Sequence, residues 1–370
     1  MVKLDRQSFV PLYHQLAIIL EKQIENGTFN RGDFVPSVRK LCQRYGISDI
    51  TARRAILELT KKGLVSRSAG KGMFVDVKPK KELTVTLIAL GLDTKSYWSG
   101  AYMFFDLVRG ITQATLEKNM SLKFVFPKKD VEPTLFLKEF IETQKTDGIF
   151  IHVLTREDIS YEEIKILRKA KIPYVVVKSH IPEKKISCVF SDDFKGAAIA
   201  TEYLISLGHR RIGFINGPLD KVVVWQERMK GYKEALKKYK IQLDRKLIQE
   251  NSSVFEKNGY ESMKKLLQLK NRPQAVFVAG DGMAVGAYKA IKRKGLRIPE
   301  DISIIGYDDA DAASWLDPPL TTIRTSFFDF GEKSAKLLFD MITQDGFPEK
   351  EAVIEPVLKI RSSCVGVKSK

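Results

Sequence analysis

The 370-residue sequence predicts two domains of different class. A small α+β winged helix-turn-helix covers residues 1–76. A large α/β region of two doubly wound parallel-sheet subdomains covers 84–366, and a linker at 77–83 joins them. Three observations predict this. Up to about Lys62, apolar residues recur at helical spacing with short breaks, and two short apolar runs around a glycine-rich turn follow. From about Leu83 onward, short apolar runs alternate with amphipathic helical stretches, the pattern of parallel sheets covered by helices on both faces. Between these regions lies Asp76-Val77-Lys78-Pro79-Lys80-Lys81-Glu82, which is charged and holds a proline, as linkers do.

Each element of the small domain has a local cause. Leu12, Leu16, Ile19, Leu20 and Ile24 form a 3.6-residue stripe that Gly27 ends. Ser37 is placed to cap a second helix that runs through Leu41 to Gly46, and Gly46-Ile47 makes a tight turn. Ser48 caps a third helix through Ala55, Ile56 and Leu59, which Gly63 stops. Leu64–Arg67 and Met73–Asp76 read as the strands of a hairpin whose turn is 68–72.

In the large region the candidate strands are Val85–Leu90, Leu122–Phe126, Gly148–Val153, Tyr174–Val177, Arg211–Ile215, Ala275–Val278 and Ile302–Gly306. The helices between them include Phe104–Lys118, Ile159–Lys171, Gly196–Leu207, Arg228–Tyr239, Asn258–Leu269 and Ala284–Lys294. About 280 residues suffice for two such sheets.

Composition narrows the functional classes. Sixty-two lysines and arginines against 45 acids leave a formal net charge of +17, which favours a polyanionic partner, nucleic acid or an anionic membrane surface. Residues 1–78 carry 7 lysines and 7 arginines against 4 aspartates and 3 glutamates. Cys42, Cys188 and Cys364 are odd in number and far apart, so a reducing cytosol is the expected compartment. No signal-peptide stretch opens the chain, and no run of about 18 apolar residues occurs. The four histidines lack metal-ligand spacing, and HExxH, GxSxG and Walker A patterns are absent. The expectation is therefore a cytoplasmic protein without cofactor or metal, not an enzyme. A solute-binding transport component and an enzyme on a doubly wound fold are the alternatives.

A recognition helix lays its N-terminal residues against base edges in the major groove. Here those residues are Ser48, Asp49, Ile50, Thr51, Arg53 and Arg54. The two arginines suit phosphate contact or guanine readout, and Thr51 suits either target. Ser37 and Arg39 open the second helix, with Arg39 placed to grip phosphate. Gly70 and Lys71 at the wing tip allow close approach to a groove. The series from Pro11-Leu12-Tyr13-His14-Gln15-Leu16, through Val35-Pro36-Ser37-Val38-Arg39-Lys40-Leu41 and Tyr45-Gly46-Ile47-Ser48, to Gly63-Leu64-Val65 and Gly70-Lys71-Gly72-Met73-Phe74-Val75, resembles the N-terminal domain of the GntR family of bacterial transcription regulators. The resemblance covers residues 9–76 and places Arg39, Thr51, Arg53 and Gly70 on the family's DNA-contact positions. One departure stands out: the family commonly has arginine directly after the capping serine, where this chain has Asp49.

Ligands of doubly wound sheets sit beyond the carboxyl ends of the strands. The residues found there are Tyr97 and Trp98 after the first strand and Lys178 after the fourth. Trp225 and Arg228 follow the fifth, Asp281 the sixth and Asp308 the seventh. A sugar asks for charged bidentate partners for its hydroxyls and an aromatic face for its C–H surface, and this set supplies both. Ser191-Asp192-Asp193, Leu207-Gly208-His209-Arg210-Arg211-Ile212-Gly213-Phe214, Arg228-Met229-Lys230-Gly231-Tyr232, Ile305-Gly306-Tyr307-Asp308-Asp309 and Pro319-Leu320-Thr321-Thr322-Ile323 resemble the effector domain of the LacI/GalR repressors. That resemblance spans 84–365. It implies the periplasmic-binding-protein type I fold, with two subdomains, a cleft and three crossovers, and it puts the effector on Arg228 and Asp308. Lys178 stands where the family often has an acid, and Gly280 where many sugar binders have asparagine.

The pairing of such a head with such an effector domain resembles the arabinose-responsive repressors. It implies a repressor of carbohydrate-utilisation genes that binds operator duplex DNA, as a homodimer on a pseudo-palindrome. A small sugar, L-arabinose or another pentose, would release it. A corepressor-type regulator with a non-sugar effector uses the same parts.

Overall fold

The structure, a computed structural model, describes residues 4–68, 72–76, 83–90, 101–128, 131–153, 159–181, 184–219, 222–344 and 348–367. The chain divides into two compact units, Met1–Glu82 and Leu83–Lys370.

In the small unit, α1 (Leu12–Glu25) buries Leu16, Ala17 and Leu20. Helix α2 (Val38–Tyr45) is capped by the Ser37 side chain, which accepts from the Lys40 N–H at 3.4 Å. It ends at Gly46, whose φ of +62° suits glycine and turns the chain sharply toward α3 (Asp49–Lys61). Ser48 caps α3, accepting from the Thr51 N–H at 3.2 Å. Strands β1 (Val65–Ser68) and β2 (Gly72–Val75) pair antiparallel with Val65 opposite Val75. The core joins α1, α2 and α3 to the hairpin through Leu16, Leu20, Leu41, Ala55, Leu59, Val65 and Val75.

Residues 32–35 lie along β2. The Gly32 N–H donates to the Val75 carbonyl at 2.8 Å, Val75 to Asp33 at 2.9 Å, and Val35 to Met73 at 2.9 Å. This third rung is made by a tertiary contact and carries no periodicity of its own.

The large unit holds two six-stranded sheets. The first runs β13-β7-β6-β5-β3-β4, from β3 (Leu83–Leu90), β4 (Met120–Val125), β5 (Gly148–Val153), β6 (Tyr174–Val177), β7 (Cys188–Ser191) and β13 (Glu351–Ile354). All its pairs are parallel. Helices α4 (Ala101–Glu117) and α12 (Phe327–Thr343) cover one face through Leu107, Ile111, Phe330 and Leu338. Helices α5 (Pro133–Thr143) and α6 (Tyr161–Ala170) cover the other through Leu137, Phe140, Ile164 and Leu167.

The second sheet runs β14-β12-β11-β10-β8-β9, from β8 (Ile212–Asn216), β9 (Ile248–Glu250), β10 (Ala275–Val278), β11 (Ser303–Asp308), β12 (Thr321–Arg324) and β14 (Val357–Lys359). Its pairs are parallel except β12–β14, which is antiparallel. Helices α7 (Asp193–Ser206) and α8 (Val223–Lys238) lie on one face, α9 (Glu256–Leu267) and α10 (Asp281–Arg293) on the other. The short α11 (Asp311–Trp315) follows β11. The chain passes between the subdomains three times: from β7 into α7, from β12 into α12, and from β13 into β14.

Strands β7, β9, β12, β13 and β14 and helices α5, α11 and α12 are additional to the sequence-predicted elements. The buried face of α12 explains its silence. It includes Gly331, Ser334 and Ala335 among Phe330, Leu338 and Met341, so small and polar residues dilute the apolar stripe.

Small residues also set helix spacing. A Cβ on Gly286 of α10 would lie 1.9 Å from the Glu256 carbonyl oxygen of α9, and one on Gly259 of α9 would lie 1.9 Å from that of Met283. The two backbones therefore touch. Gly286→Ala is expected to lower the unfolding free energy by about 1–3 kcal/mol by forcing the helices apart; a urea titration followed by circular dichroism measures it.

Candidate functional site

The cleft lies at the carboxyl ends of both sheets, and its centre is Arg228 on α8. Its side chain is 1% exposed. Nε donates to Asp193 Oδ1 at 2.8 Å, Nη1 donates to the Ala279 carbonyl, and Nη2 donates to Asp308 Oδ1 at 3.3 Å. The guanidinium carbon lies 3.7 Å from the Tyr307 ring centroid and 4.8 Å from that of Trp225. Burial disfavours the charged guanidinium, but Asp193 and Asp308 outweigh it and raise the pKa. Asp192 caps α7 by accepting from the Lys195 N–H, which leaves Asp193 for Arg228 and for the Ser191 hydroxyl at 2.6 Å.

Lys178 reaches the same place from the first subdomain. It directly follows β6 with φ at +63°, and its Nζ sits 3.9 Å from the centroid of the Phe327 ring. Burial lowers its pKa, while Asp308 opposes that shift, Arg228 adds to it, and Asp193 opposes it. Asp308 is raised by burial against the pull of Arg228 and Lys178. Two cations and two carboxylates from both subdomains thus converge in a site of low dielectric. Such a set donates to and accepts from the hydroxyls of a polyol.

Asp281 departs from the sequence expectation of an effector contact. It is fully buried, and its oxygens accept from the Tyr307 N–H (2.8 Å), the Ala310 N–H (2.8 Å) and the Thr322 hydroxyl (2.9 Å). It faces the protein's own backbone. What it holds is the turn carrying Asp308 and Asp309, two successive non-glycine residues at φ +109° and +57°. Arg361 holds the same turn through Asp309 at 2.6 Å. Burial and the neighbouring Asp308 raise the Asp281 pKa well above the usual range, and its three donors oppose that rise. Trp225 is half-buried between two cores and stacks against Arg228. Tyr97 and Trp98 lie outside the described residues.

Sequence reasoning gave no role in the cleft to Asp193, Tyr307 or Phe327. Asp193 opens a helix as an ordinary first-turn acid does, and only the fold brings it to Arg228, 35 residues away.

In the small unit the DNA candidates separate by geometry. Ser37 and Ser48 are helix caps, and the Ser48 and Thr51 hydroxyls are 2.8 Å apart. Arg39 is exposed on α2. Arg54 extends over the Tyr13 ring of α1 at 5.9 Å. Asp49 pairs with Arg53 one turn on, accepting from Nε at 2.5 Å and Nη2 at 3.3 Å. Gly70 and Lys71 lie outside the described residues. Among the described residues no cluster of three or more histidine, cysteine, aspartate or glutamate side chains is placed to hold a metal ion, and no helix is long and apolar enough to cross a membrane.

A two-sheet clamp with three crossovers and a buried charged cleft, carried on one chain with a winged helix-turn-helix, defines a ligand-responsive DNA-binding regulator. Comparison with known proteins gives the family. Residues 12–75 match the bacterial regulatory proteins of the gntR family, and 201–364 match the periplasmic binding protein-like domain. The chain is 33% identical over 261 residues to the ribose operon repressor of Escherichia coli (strain K12), covering 70% of this chain and 78% of that one. It is 34% identical over 269 residues to the HTH-type transcriptional repressor PurR of Pasteurella multocida (strain Pm70), covering 72% and 78%. A crystal structure of a LacI family transcriptional regulator from Enterococcus faecium with bound ribose aligns with a TM-score of 0.64 at 28% identity, over 77% of this chain and all of that one. The chain belongs to the transcriptional repressors with a LacI-type, periplasmic-binding-protein-like effector domain, here joined to a gntR-family DNA-binding head. Proteins of this kind are not enzymes.

Two outcomes test the geometry. Arg228→Ala removes the ion-pair partner of two buried carboxylates, leaving Lys178 as the remaining cation, and is expected to cost about 3–5 kcal/mol of stability at pH 7.5. Burial already raises the pKa of Asp308, and without Arg228 it binds a proton more readily folded than unfolded, so the deficit narrows as pH falls toward 4.5; urea midpoints of the two proteins at both pH values measure this. His152, buried at the end of β5 against the Val177 carbonyl, has its pKa pushed down to about 4 by burial. Its unfolded value is about 6.5, so stability held above pH 6.5 is lost as pH falls toward 4, by about 3 kcal/mol. His152→Phe is expected to flatten the urea-midpoint profile across that window.

Proposed function

We propose that this chain is a sugar-released repressor of carbohydrate-utilisation genes, acting in the cytoplasm as a homodimer on a pseudo-palindromic operator. The observation that carries the reading is Arg228, fixed between Asp193 and Asp308 and faced by Lys178 from the opposite subdomain. A sugar that bridges Lys178 and Asp308 stabilises the closed cleft, and closure alters the spacing of the two heads. For tenfold weaker operator binding, the sugar must favour the released state by about 1.4 kcal/mol.

The first candidate effectors are pentoses. Likeness to the ribose operon repressor and the ribose-bound regulator speaks for D-ribose, and the head–effector pairing speaks for L-arabinose. Lys178, Arg228 and Asp308 are the proposed effector contacts, with Trp225 behind Arg228 and Asp281 holding the Asp308 turn. Arg39, Thr51, Arg53 and Arg54 are the proposed DNA contacts. Dimerisation is favoured by the outer face of α4, where Phe105 is 62% and Leu116 71% exposed.

Likeness to the PurR repressors favours a second reading, in which a non-sugar effector strengthens operator binding. One titration separates the two. The full chain is bound to a duplex selected from a random pool, and D-ribose, L-arabinose and a purine base are added while anisotropy is read. A pentose is expected to release wild type at least tenfold and to leave Arg228→Ala on the duplex. Tightening by the purine base favours the second reading, and no response to any small molecule overturns both.

A further inference from the structure

Asp49 follows the capping Ser48, and an acid at the start of a recognition helix repels phosphate. Its geometry gives it another task. The pair with Arg53 has the favourable order on a helix, acid four residues before base, and the acid lies in the positive first turn of α3. Both side chains are well exposed, Arg53 at 68% and Asp49 at 59%, and among the described residues each side chain hydrogen-bonds only to the other.

The donors of Arg53 can be accounted for one by one. A guanidinium has five N–H groups: one on Nε and two on each Nη. Asp49 takes the Nε–H and one N–H of Nη2, along the side edge of the plane. The end edge, with one N–H from each Nη pointing the same way, has no partner among the described residues. Two parallel donors on that edge match O6 and N7 of guanine in the major groove. The side edge cannot at the same time grip a backbone phosphate. The carboxylate therefore disfavours one mode of DNA contact, leaves the other, and biases the plane of the fork. Arg39 and Arg54 remain as exposed cations for phosphate.

We propose that Arg53, held side-on by Asp49, reads a guanine in each operator half-site, and that Asp49 is the positioning residue that sets this specificity. It follows that Asp49 sharpens base choice while contributing little to folding, since an exposed ion pair stabilises by well under about 1 kcal/mol.

The test uses the full chain. A consensus duplex is obtained by selection from a random pool, and each guanine of the half-site is then replaced in turn. Wild type is expected to lose about tenfold or more in affinity at one such guanine. Arg53→Ala is expected to lose that discrimination at the same position alone. Asp49→Ala is expected to lose most of it there too, with a steeper salt dependence by about one counterion as the freed arginine turns to phosphate. Asp49→Asn, which keeps an acceptor without the charge, is expected to fall between. The thermal midpoint of Asp49→Ala is expected to match wild type, which separates positioning from a folding defect. Retained or improved guanine preference in Asp49→Ala overturns the proposal. So does an Arg53→Ala protein that binds all sequences uniformly more weakly with a shallower salt slope, the mark of a phosphate contact.

Discussion

One buried guanidinium organises the larger unit. Arg228 touches the first crossover through Asp193, the end of β10 through the Ala279 carbonyl and the end of β11 through Asp308. Removing a charged group from water is expensive, so it persists here only because every edge of it is engaged. The consequence is that both carboxylates are held in place before a ligand arrives. Groups ordered in advance in this way cost little to order when they are engaged.

The strained turn at Asp308–Asp309 depends on the same arrangement. Two adjacent non-glycine residues at positive φ need support, and Asp281 and Arg361 supply it from two directions. Gly306 is part of that support: a Cβ there would lie 2.1 Å from Asp281 Oδ1, so the carboxylate reaches the β11 backbone only because the side chain is missing. Asp281 thus fixes the turn that carries Asp308.

The sequence was most legible where local physics decides. The caps at Ser37 and Ser48, the turn at Gly46 and the hairpin beside Val65 are each determined within a few residues, and each forms as read. Arg228 and Asp308 stand out by their position after strands, and they meet. Asp281 reads the same way and does not face the cleft, because position along a strand does not say which way a carboxylate turns. Asp193 stayed hidden for the converse reason: its partner is distant in the chain. The edge strands β13 and β14 carry no signal of their own because chain-distant partners decide them: Glu351 of β13 pairs with Cys188, 163 residues back, and Lys359 of β14 with Thr322, 37 residues back.

The three passages between the sheets have a mechanical consequence. Two bodies tied at a single point can tilt and swivel in any direction. Tied at three adjacent points, they keep one axis of rotation, and every closing motion follows the same arc. Any force that draws the two bodies together along that groove therefore acts about the same axis. Side chains that line the groove can then differ without changing the axis about which the two bodies turn.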